Sequence, residues 1–169
     1  QFHLGTRRLN KDTAPSHQLQ SASFASLQFT TQKNGRKGEV VGLSRSKDPH
    51  LCPILALSRR VLHLRSHSAP PTTPLATYYN HNTTTKLLPS DISESLKQAV
   101  TFLGPSTLGF TAEEVSARSM RAAGAMALFN GKVNPLTIKL IGRWHSDAMI
   151  DFIHVQAEHV LRNLAPSMV

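Results

Sequence analysis

Arg118 and Arg121 stand three residues apart in an alanine-rich run, so a helix there turns both guanidiniums to one side. Two such cations side by side repel unless an anion lies opposite them. A phosphate suits, because the planar fork of arginine donates paired hydrogen bonds to it; a solvated surface pair is the bland alternative. Downstream, Gly142-Arg143-Trp144-His145-Ser146-Asp147 forms a polar, basic turn, and Phe152-Ile153-His154-Val155 follows it. Upstream, Gln32-Lys33-Asn34-Gly35-Arg36-Lys37-Gly38-Glu39 reads as a turn carrying the cations Lys33 and Lys37. His63 and His67 have the spacing of a metal pair, but no third ligand is spaced to join them. There is no Gly-x-Gly-x-x-Gly run and no Walker loop. Neither a metal nor a cofactor is expected.

These residues need elements to position them. Residues 1–24 are polar and carry no clear period, so they are expected to be an arm without regular structure. Ala25, Leu27 and Phe29 alternate with polar residues, Asn34-Gly35 is a turn signal, and Glu39 to Leu43 can return as a second strand. Residues 25–43 are thus expected to form a β-hairpin. Asp48-Pro49 introduces a helix to about Arg65 whose inner stripe is Ile54, Leu57, Val61 and Leu64. The stretch from His67 to Leu88, with Pro70, Pro71 and Pro74, reads as a loop. A helix from Asp91, with Glu94 at capping-box spacing, ends at Gly104-Pro105. Thr111 and Glu114 suggest another cap. A helix from about Ala117 to Phe129 follows, stopped by Asn130-Gly131. Pro135 starts a short helix carrying Leu136, Leu140 and Ile141, and Ser146-Asp147 caps a last one with Ile150 and Ile153 on its inner face. The expected fold is mainly α with one small antiparallel hairpin, as a single domain over residues 25–169.

Nineteen Lys and Arg against ten Asp and Glu leave a formal charge of +9, spread along the chain rather than confined to a tail. A polyanion is a natural partner for such a chain. One cysteine, Cys52, rules out an intramolecular disulfide and suits a reducing compartment. No apolar run reaches the roughly 18 residues of a membrane span, and no secretory signal is legible. An intracellular protein, nuclear or cytoplasmic and not secreted, is expected, with no membrane partner.

The segment from Val115 to Gln156 resembles the catalytic domain of tyrosine recombinases of phage-integrase type, most of all the integrase-like genes of eukaryotic mobile elements. In that family a His-x-x-Arg element precedes a Gly-His or Gly-Trp turn, and the nucleophilic tyrosine follows, often before His-Val. By this resemblance Arg121 is the second of two catalytic arginines. Arg118 stands where the motif histidine belongs, and Arg143 where the turn histidine or tryptophan belongs, with Trp144 beside it. Lys33 matches the hairpin lysine, and Phe152 replaces the tyrosine. The first arginine has no counterpart in residues 1–24, so the domain reads as incomplete on its amino-terminal side. The family cuts DNA by attack of the tyrosine oxygen on phosphorus while arginines stabilise the phosphate charge. A phenyl ring has no such oxygen. The resemblance therefore implies a domain for DNA recombination or integration that binds double-stranded DNA, associates with further copies on it, and does not cleave. Lys33, Lys37, Arg118, Arg121, Arg143, Trp144 and His145 are its expected DNA contacts. A structural remnant or protein-interaction domain without a DNA role is the alternative.

Overall fold

Short alternating runs and capped apolar stripes partition the chain into elements of both kinds. The computed structural model describes residues 1–30, 37–80, 83–144 and 146–150, and the chain divides into two compact units, Gln1–Leu87 and Leu88–Val169.

The first unit is built on an antiparallel sheet of four strands: β1 (Phe2–Leu4), β2 (Arg7–Leu9), β3 (Phe24–Phe29) and β4 (Glu39–Ser44), in the order β2-β1-β3-β4. Phe2 pairs with both Leu9 and Ala25, and Ala25 with Leu43, so strand alternation gathers these four on one face. That face meets α1 (Ser16–Ser21) and α2 (Pro53–Ser66), and the core is Phe2, Leu9, Leu19, Ala22, Ala25, Cys52, Ile54 and Val61. The opposite face bears His3, Arg8 and Phe24 in one row. Phe24 lies over Gly42, where any Cβ would come within 2.7 Å of its ring. The Asp48 carboxylate accepts the His50 and Leu51 amides and turns the chain toward α2. Arg65 donates to the Ala14 carbonyl at 2.8 Å and Arg60 to that of Leu75 at 2.6 Å, tying the helix to its flanking loops.

Two expectations need correction here. Residues 1–24 are not an unstructured arm: they supply two strands, a helix and the buried side chains Phe2, Leu9 and Leu19. Their strands are three residues each, too short for periodicity to register. Residues 67–88 are not all loop either. The prolines end at Pro74, and the strand-forming Thr/Tyr run beyond them makes a hairpin, β5 (Thr77–Asn80) with β6 (Thr83–Lys86). The fold is consequently mixed helix and antiparallel sheet with helix predominating, so mainly α holds only roughly, and the expected 25–43 hairpin is the β3–β4 half of a larger sheet.

The second unit is helical among its described residues. α3 (Pro89–Leu103) starts earlier than the Asp91 cap predicts, because Asp91 instead accepts the Leu88 amide at 2.7 Å from within the first turn. Gly104, at φ 81°, ends it, and a short helix α4 (Pro105–Leu108) follows. Thr111 and Glu114 do form a cap, with the Thr111 amide donating to the Glu114 carboxylate at 2.7 Å; these bonds hold the carboxyl below its ordinary pKa. α5 (Ala117–Asn130) and α6 (Pro135–Gly142) then pack around Ala125, Met126, Ile138 and Met149. The last expected helix is described only at its start, where residues 148–150 are helical; its remainder lies outside the described residues, as do Lys33, His145 and Phe152.

Candidate functional site

The site grows from two caps. Ser116 accepts the Arg118 amide at 3.3 Å while its own amide donates to Ser119 Oγ at 3.0 Å, which fixes where α5 begins. The Ala117 amide also donates to Ser93 Oγ of α3 at 2.9 Å. Alanine-rich sequence then propagates the helix, which exposes Arg118 and Arg121 near its start and buries Ala125 and Met126 farther along. α6 begins as Asn134 Oδ1 accepts the Leu136 amide at 2.8 Å, with Pro135 in the first turn.

At the far end of α6, Arg143 takes the left-handed conformation at φ 56°, a cap usually left to glycine. The Arg143 and Trp144 amides donate back to Leu140 and Lys139. That reversal folds Trp144 onto Gly142 so closely that a Cβ there would stand 1.6 Å from the indole ring. The indole packs on the Ala125–Met126–Ile138–Met149 core. The Arg121 guanidinium sits 4.3 Å above the Trp144 ring and donates from Nη2 to the Gly142 carbonyl at 2.5 Å. A cation over an indole face gains about 0.5–1 kcal/mol at an exposed site. Beyond the turn, Lys139 pairs with Asp147 at 2.8 Å, and the ammonium's hydrogen bond and charge lower the Asp147 pKa.

The structure therefore joins Arg121 to the Gly142–Trp144 turn, with Arg118 one helical turn earlier and exposed. Arg121 keeps further N–H donors beyond the one given to Gly142, and among the described residues no carboxylate pairs with Arg118 or Arg121. An oriented, exposed guanidinium of this kind suits an oxyanion. Lys37 is exposed just ahead of β4 in the first unit. Sequence reasoning missed Gly142, whose need to lack a Cβ becomes visible only once Trp144 is seen folding back, and the Lys139–Asp147 clasp.

The histidine pair at the end of α2 is engaged within the protein. His67 Nδ1 lies 2.9 Å from the His63 carbonyl, and His63 Nε2 accepts the Tyr79 amide at 3.3 Å. Among the described residues no group of three metal-ligating side chains occurs, and no helix is long and apolar enough to cross a membrane. Comparison with models of protein families, with curated proteins and with solved structures finds no match to this chain.

Proposed function

We propose that this chain is a DNA-binding domain of tyrosine-recombinase type, serving DNA recombination or integration through binding and unable to cleave because Phe152 occupies the nucleophile's position. The observation that carries the reading is Arg121, stacked on Trp144 and anchored to the Gly142 carbonyl with donors to spare. An immobilised guanidinium contacts a phosphate at little entropic cost, and the exposed Arg118 extends the same helix side by a second contact. Full-length chain should bind duplex DNA of mixed sequence with an affinity that falls as salt rises. Replacing Arg118 and Arg121 together with alanine should weaken binding and flatten the plot of log K against log salt by up to about 1.8, roughly 0.9 for each phosphate no longer neutralised. An unchanged slope in that variant would remove the site from the reading.

One observation favours a protein-interaction domain instead: α6 leaves Leu136, Leu140 and Ile141 exposed while burying Ile138. Wild-type chain that shows no salt-dependent duplex binding would decide for that alternative.

A further inference from the structure

Composition sets the net charge without saying which folded body bears it. Residues 1–87 hold twelve of the nineteen Lys and Arg but only three acids, Asp12, Glu39 and Asp48. Residues 88–169 hold seven cations and seven acids. The whole +9 excess thus belongs to the first unit, and the second, which holds Arg121, is neutral. A neutral body attracts a polyanion only through local contacts, whereas a body with four cations to each acid does so across a Debye length.

Folding also sorts the first unit's cations. Arg45, Arg60 and Arg65 are tethered to the carbonyls of Gln20, Leu75 and Ala14, and Lys11 to Asp12 and the Pro71 carbonyl. Among the acids, Asp12 is engaged by Lys11 and Asp48 by the amides of His50 and Leu51. Of the other eight, Lys33 and Arg36 lie outside the described residues; Arg7, Arg8, Lys37, Lys47, Arg59 and Lys86 are all exposed and, among the described residues, have no hydrogen-bonded or ion-paired side chain. Cations on the edge strand β2 can also deter strand-to-strand aggregation, which accounts for Arg7 and Arg8 but asks nothing of Lys47 or Arg59.

We infer that the first unit is the electrostatic anchor for double-stranded DNA, its unpaired cations supplying most of the phosphate contacts while the Arg121 site of the second unit adds only one or two. The inference rests on the DNA-binding reading above and assigns that binding to a part of the chain the motif residues do not mark. Affinity is then governed by counterion release from the first unit, and it is insensitive to base sequence.

The test uses the full chain, with Arg7, Arg8, Lys37, Lys47 and Arg59 all replaced by glutamine, titrated with mixed-sequence duplex across a salt series. The expected result is a slope flattened by about 0.9 for each phosphate set free, so by roughly two to four and a half in all. That flattening should exceed the one in Arg118→Ala/Arg121→Ala. A five-fold variant that melts like wild type yet keeps the wild-type slope would overturn the inference, as would a larger effect from the arginine pair. Should the five-fold variant misfold, the single changes Arg8→Gln and Lys47→Gln provide the same reading, each expected to remove up to about 0.9. Wild-type chain that binds phosphatidylserine vesicles but not duplex would sink the DNA reading itself, an outcome distinct from binding that is present but carried by the second unit.

Discussion

At the scale of single residues, two glycines of the second unit make opposite demands. Gly124 lies inside α5, where an added methyl group would meet nothing within 4 Å, whereas the same addition at Gly142 would meet the Trp144 ring at 1.6 Å. Gly124→Ala should therefore stabilise the chain by about 0.5–1 kcal/mol, through helix propensity alone. Gly142→Ala should destabilise it by about 1–3 kcal/mol, the usual range for overpacking, and shift the emission of the chain's single tryptophan. Thermal melts followed by that fluorescence check both signs, and equal effects from the two changes would refute the close packing of Trp144 on Gly142. The three-residue spacing of Arg118 and Arg121 was legible, since helix geometry alone puts them on one side. The stack on Trp144 was not, because it depends on the left-handed turn at Arg143, a conformation no neighbouring residue type announces.

Elements show the same division between what local pattern decides and what tertiary packing decides. α5 and α6 begin where expected, at Ala117 and Pro135, and Ser116 and Asn134 cap them with local hydrogen bonds. In α2 the apolar stripe is right for Ile54, Val61 and Leu64, though Ser58 is also fully buried, its hydroxyl donating to the Leu55 carbonyl at 3.0 Å. The β5–β6 hairpin was hidden, for its hold on α2 is aromatic and histidine-mediated: His63 stacks on Tyr78 at 5.8 Å and His67 on Tyr79 at 4.8 Å. Burial, then the nearby charges of Arg60 and His67, lower the His63 pKa. Its Nε2 can accept the Tyr79 amide only while unprotonated. The unfolded chain, with the higher pKa, takes up the proton first as pH falls. The resulting stability is present above the ordinary imidazole pKa of about 6.5 and is lost as pH drops below it toward the folded value. Protection of the Tyr79 amide, taken relative to the intrinsic exchange rate at each pH, should fall over that window, and His63→Phe should flatten the fall while keeping a ring in the stack. Protection at Tyr79 that stays constant from about pH 7.5 to about pH 5 would show that the imidazole does not hold the hairpin.

For the whole molecule, the total charge was readable from composition, but its allocation was not, because the boundary at Leu87–Leu88 leaves no linker of unusual composition. The same separation bears on chemistry. By the resemblance, Lys33 and Phe152 would act on one phosphate together with Arg121, although they come from distant parts of the chain and lie outside the described residues. A phenol attacks a phosphodiester slowly unless the phosphate charge is neutralised and protons are managed, and groups that act as a unit contribute far from additively. By the same resemblance, Arg118 would stand in place of the motif histidine and Arg143 in that of the turn histidine or tryptophan, and no first arginine is legible. Trp144, the nearest substitute, is occupied beneath Arg121 and packed on the core. Loss of one charge-stabilising donor commonly costs on the order of 100- to 1,000-fold, so several departures at once leave no measurable turnover. Phe152→Tyr should therefore yield no covalent complex when incubated with nicked duplex and analysed under denaturing conditions. A denaturation-resistant adduct from that single change would mean that the remaining cations still assemble around a phosphate, and that loss of the tyrosine hydroxyl alone separates this chain from a working recombinase.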